Sequence, residues 1–95
     1  MGIKWFKAEG ERIIVKTNEE SGNVGGIIVP NPTEQYLKIG EIVDISKSID
    51  LDLFDKEVGD FILFSEHNAT GLKFDGFENH YIIEIENILA SAGME

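Results

Sequence analysis

The chain contains no cysteine. A disulfide framework is thereby excluded, as are a thiol nucleophile and a thiolate metal site. Basic residues are scarce: eight Lys and Arg stand against eighteen Asp and Glu, a formal net charge of -10. A surface of that sign repels a phosphate backbone and an anionic bilayer alike, so neither nucleic acid nor a membrane is an expected partner. No apolar run approaches the ~20 residues that cross a bilayer as a helix. The opening MGIKWFKAEG holds no apolar core of signal-peptide length, and Phe6 stands where a myristoylation signal wants Ser or Thr. The expectation is a cytoplasmic protein.

What is there reads as β-structure. A chain of 95 residues is one domain with one small core, and domains of this size gain stability by oligomerising. Short runs rich in β-branched and aromatic residues recur at 3–7, 12–16, 40–45, 60–65, 72–74 and 80–85, separated by turn chemistry such as Val58-Gly59-Asp60, His67-Asn68 and Asp75-Gly76. Only 84–92 has room for a helical turn. The pattern predicts an all-β fold, a small barrel or sandwich over 1–95. Ile42 and Val43 are adjacent apolar residues, and Phe61 to Phe64 reads FILF without interruption. Both runs predict strands buried on two faces, which in so small a protein needs a closed barrel or a neighbouring subunit.

Residues 21–32, SGNVGGIIVPNP, depart from this pattern. A polar run with Gly22, Gly25 and Gly26 meets a bare triplet, Ile27, Ile28 and Val29, closed by Pro30 and Pro32. Glycine loses the most backbone entropy on ordering, so the run predicts a loop that takes a fixed shape only when a partner offers its apolar tip a groove. An ordinary edge strand at 27–29 is the bland alternative. A phosphate cradle is a poor reading: the spacing is not GxGxxG, and a β-branched, proline-terminated segment follows instead of a helix.

The order ERIIVK (11–16), GGIIVP (25–30), GEIV (40–43), VGDFILF (58–64) and ENILA (86–90) resembles the GroES family of co-chaperonins, the ten-kilodalton chaperonin family. The resemblance spans about 11–90. It implies an irregular GroES-like β-barrel with a mobile loop at about 17–32, assembling as a ring of seven copies. It implies that Gly25, Gly26, Ile27, Ile28 and Val29 contact a GroEL-type chaperonin, that the ring encloses unfolded substrate protein, and that ATP binds the partner, leaving this chain without cofactor or enzymatic activity. It also implies subunit contacts from the chain ends, through Ile3, Trp5, Phe6, Ile85, Ile88 and Leu89. From the residues alone, Trp5 and Phe6 read equally well as a cap on their own core. The connection at about 46–57 is shorter than the family's roof hairpin and has no glycine, and HNATGL (67–72) replaces an expected aromatic of the dome's inner wall. These departures resemble the phage-encoded members.

Other candidate sites are weaker. Asp50, Asp52 and Asp55 lack calcium-loop spacing and a central glycine, so they read as a solvated acidic connection, splayed around an opening if the roof is thin. His67 and His80 sit near no nucleophile pattern. Asn68-Ala69-Thr70 is a glycosylation sequon without a secretory signal. Two rival functions are open to these residues: a β-rich phage structural or decoration protein without chaperonin binding, and a small β-barrel enzyme or a fragment of one, since GroES-like folds also occur in alcohol dehydrogenases. An ATP-dependent complex with a chaperonin ring separates all three.

Overall fold

The computed structural model describes residues 2–17, 23–24, 27–28 and 37–93, with backbone alone at 23–24 and 27–28. Eight strands follow in chain order: β1 (Arg12–Thr17), β2 (Asn23–Val24), β3 (Ile27–Ile28), β4 (Leu37–Ile45), β5 (Phe61–Ser65), β6 (Ala69–Gly71), β7 (His80–Glu84) and β8 (Ile88–Ala92). Six of them form one antiparallel sheet in the order β6-β7-β1-β4-β5-β8. Among the described residues there is no α-helix, only 3-10 turns at Glu66–Asn68 and Ile85–Asn87. The fold is all-β, as the composition predicts.

The sheet curls onto itself. Phe64 of β5 and Tyr81 of β7 are separated by two strands, which in a flat sheet would hold them about 14 Å apart at 4.7–4.9 Å per strand. Their ring centroids are 5.5 Å apart. The concave face holds the core: Ile13, Val15, Ile42, Ile62, Phe64 and Ile83, with Ala69 from edge strand β6 and Ile88 from edge strand β8 packed against it. Register shifts at Ile14/Val15 and Leu63/Phe64 mark the irregularities that sharpen such a bend. Gly40 permits the closest approach. A Cβ built there would lie 2.9 Å from Val15 Cγ2 and 3.1 Å from Phe64 Cε1.

β4 alternates strictly, with Ile42 buried and Ile39, Glu41 and Val43 exposed, so it is not covered on both faces within one chain. In β5, Ile62 and Phe64 are buried while Phe61 and Leu63 are half-buried. The convex side of β1 and β7 is covered differently. Residues 2–9 form no strand, contrary to the expectation for 3–7. They lay Phe6 and Ala8 over Ile14, Leu72, Phe77 and Ile82 as a second small core. The Ala8 N–H, freed of a strand partner, donates to the Asp44 carboxylate at 2.7 Å.

Two further boundaries shift. The predicted strand at 72–74 lies instead at Ala69–Gly71, because those residues take the register opposite 81–83. The predicted helical turn at 84–92 shrinks to Ile85–Asn87, after which β8 pairs with β5. The Val58-Gly59-Asp60 turn is held by reciprocal bonds, Gly59 N–H to Ile42 O at 2.9 Å and Ile42 N–H to Asp60 O at 2.8 Å. Gly59 has φ +104, a conformation that a side chain would strain. Gly40→Ala overpacks the tightest point of the core and is expected to destabilise the fold by about 1–3 kcal/mol, read as a lower urea midpoint. A midpoint equal to that of the parent would show that Val15 and Phe64 yield freely.

Candidate functional site

Residues 18–36, which carry the aliphatic triplet, leave from the end of β1 and return at the start of β4. Thr17, the last residue of β1, is 1% exposed. Its N–H donates to the Asn79 carbonyl at 2.8 Å, and its hydroxyl donates to the same oxygen at 3.2 Å. Asn79 has φ 70, a left-handed conformation that Asn tolerates better than most residues. It sits in the turn before β7, and that turn aims its carbonyl at the root of the departing segment. On the return side, Leu37 pairs with Ser65. Lys38 is buried; its ammonium lies 3.9 Å from Glu66 and 6.0 Å from the Tyr81 ring. Burying a lysine is costly unless it is paired, and the carboxylate and the ring face both supply compensation.

The same turn holds a perturbed carboxylate. Hydrogen bonds from the Glu78 N–H and the Gly76 N–H, the latter at 3.2 Å, stabilise the ionised Glu78 side chain and lower its pKa from the ordinary 4.5; His80 adds a smaller attraction. The His80 ring stands edge-on to Phe77 at 5.4 Å, and its Nδ1 lies 3.2 Å from Glu78 O. Beside it lies an open groove of about 560 Å³ lined in part by Glu66, Lys73, Glu78 and Tyr81. Among the described residues, no group of three or more His, Asp or Glu is placed to hold a metal ion.

The backbone of the candidate segment pairs with itself, Asn23 opposite Ile28 and Val24 opposite Ile27, as a two-stranded sheet apart from the main one. Ile27 and Ile28 thus stand on β3, while Gly25, Gly26 and Val29 lie outside the described residues. The candidate interface residues divide. Ile3, Trp5 and Leu89 are exposed, Trp5 by 66%. Phe6 is half-buried in its own subunit, 4.8 Å edge-on to Phe77 and 5.4 Å from Phe74. Ile85 and Ile88 pack partly into the core. Sequence reasoning passed over Thr17, Asn79, Asp44 and Lys38. Each acts through a partner 28 to 62 positions away in the chain, and the one local signal was an Asn at a turn.

Thr17→Val removes the hydroxyl at nearly constant volume and is expected to cost about 0.5–1.5 kcal/mol in urea denaturation, with faster exchange of the residue 17 amide. An unchanged exchange rate would show that the hydroxyl adds nothing to the clamp. For Glu78, a lowered pKa means a stabilising contribution present at pH above the unfolded value and lost as pH falls through the folded value. A side-chain carboxyl titration followed by NMR is expected to give a midpoint below 4.5, with the Gly76 amide shift tracking it. A midpoint at or above that value contradicts the hydrogen-bonded geometry.

Comparison with known proteins agrees with this arrangement. Residues 6–92 match the family described as the chaperonin 10 Kd subunit. The co-chaperonin GroES of Thermotoga neapolitana is 37% identical over 82 residues, covering 85% of this chain and 88% of that protein. The co-chaperonin GroES of Thermotoga maritima is 35% identical over the same shares. That of Campylobacter lari is 33% identical over 85 residues, 88% of this chain and 93% of the relative. A curled all-β domain whose core strands carry the family's segments, matched by the family over nearly its whole length, belongs to the ten-kilodalton chaperonin family, the GroES-type co-chaperonins.

Proposed function

We propose that this chain is a co-chaperonin subunit that caps a GroEL-type chaperonin ring and encloses a substrate protein during ATP-dependent folding, with no catalytic chemistry of its own. The observation that carries this reading is the similarity to proteins named co-chaperonin GroES over more than four-fifths of the chain. A phage structural or decoration role finds no support among those relatives. Among the described residues no helix is long and apolar enough to cross a membrane.

Ring assembly with seven copies is part of the proposal. It is supported by an apolar row on the convex face, where Ile39 stands opposite Leu63 and Leu63 opposite Ala90, beside the open edge of β8. Residues directly opposite across antiparallel strands share a face. Exposed Ile3, Trp5 and Leu89 offer further apolar surface at the chain ends. The connection at 46–57 contains no strand, which supports a thin or open roof.

Docking would run through Gly25, Gly26, Ile27, Ile28 and Val29. The glycine-rich composition favours a loop that orders on binding, and ordering makes each contact weak. A ring makes later contacts at millimolar effective concentration, so avidity gives tight but releasable capping. Ile28→Asp places a charge in an apolar groove at every subunit, a cost of several kcal/mol each. The variant is expected to keep the parent's sedimentation coefficient and to lose ATP-dependent co-sedimentation with chaperonin. Retained co-sedimentation would show that the triplet is not the contact.

A further inference from the structure

The connection between β4 and β5 is short, irregular and firmly built. The Ser46 N–H donates to Arg12 O at 3.2 Å, and the Ile49 N–H to Ser46 O at 3.2 Å. The Asp50 carbonyl accepts from the Leu53 and Phe54 N–H groups at 3.0 and 2.9 Å, while its carboxylate accepts from the Asp52 N–H at 3.0 Å. Ile49 and Phe54 are buried in the main core, and the Lys56 ammonium lies 5.5 Å from the Phe54 ring. The turn is therefore nailed down on both sides. Between the nails, Leu51 is 60% exposed and Leu53 is 84% exposed. Single exposed leucines are ordinary. Two of them, two positions apart, held out of water's reach by nothing while their neighbours are drawn into the core, form a rigid apolar tip.

The surroundings select what covers it. Asp50, Asp52, Asp55, Glu57 and Asp60 share the connection with Lys47 and Lys56 alone, and Lys56 lies 3.5 Å from Asp55. A two-fold contact between copies would bring the same acidic rim against itself. Two leucines also present at most a few hundred Å², short of the about 800 Å² per partner of a stable interface. We infer that the Leu51–Leu53 tip is a weak docking element for a polypeptide segment in which apolar residues alternate with Lys or Arg. The leucines supply the buried area, and the carboxylates around them complement the cations and deter acidic chains. Such segments are exposed in a non-native protein, so the tip would give the lid a contact with the chain it encloses; that last step rests on the capping function proposed above.

The test uses the isolated protein without chaperonin, and so stands apart from the capping assay. A short fluorescent peptide alternating leucine and lysine is titrated against the parent, against Leu51→Ser/Leu53→Ser, and against Asp52→Asn/Asp55→Asn. The double serine variant, altered only at exposed positions, is expected to bind about tenfold more weakly, as loss of two buried apolar groups implies. The double asparagine variant is expected to weaken binding at low salt and to converge on the parent at high salt. A peptide alternating leucine and glutamate is expected not to bind. Equal affinity for the parent and the serine variant overturns the inference, as does equal binding of the two peptides. A smaller sedimentation coefficient for the serine variant also overturns it, because the leucines would then be packing between copies.

Discussion

Ninety-five residues cannot cover both faces of a six-stranded sheet, and everything else in this structure answers to that constraint. The sheet solves it by curling until β5 and β7 meet across the concave side, so that Phe64 and Tyr81 touch over a core of branched aliphatics. The closeness needed at the centre of the curl makes Gly40, among the described glycines, the one where an added Cβ would come within 3.0 Å of a neighbour. The same curl brings both edge strands to one core without bonding them to each other, leaving β6 and β8 as open edges. Open edges and a half-covered convex face are liabilities in a monomer and assets in a ring.

Long-range polar ties then fix what packing leaves loose. Asp44 reaches out of β4 to hold the Ala8 N–H, which keeps the N-terminal arm on the convex face, with Ile3 and Trp5 exposed. Asn79, in its left-handed turn, offers one carbonyl to two donors of Thr17. That carbonyl ties the exit of the segment that carries the aliphatic triplet to the start of β7. If the segment docks as proposed, a fixed root serves it, because avidity requires the tips of several copies to reach their grooves together. The charge balance works alongside: a strongly acidic surface offers little attraction to its own like charge and leaves apolar contacts to decide who binds.

The strands expected at 12–16, 40–45, 60–65 and 80–85 were legible in the residue order, although β4 begins three residues earlier than expected, because runs of Ile, Val and Phe between Gly and Asp turns have few other uses in a short chain. The family followed from the order of those runs. Less was legible where a side chain's fate depends on a distant partner. Ile3 to Lys7 has the composition of a strand, yet it pairs with neither open edge and lies instead as a strap that lays Phe6 against the second small core. Val43 was expected to be buried, but the fold has one layer, and its face is left outward.

Composition and residue order determined the fold class, the absence of thiol chemistry, the acidic surface and the family, because each depends on local propensity or on totals that folding does not alter. Tertiary structure alone decided that Phe6 turns inward to Phe77 while Trp5 stays out. It alone decided that Ile49 and Phe54 are taken into the core while Leu51 and Leu53 are not. Neighbouring apolar residues are chemically alike, and which of them is buried is settled by where the backbone has already been pinned. Those pins, here the Asp50 turn and the carboxylate of Asp44, are hydrogen bonds whose partners come together only when the chain has folded.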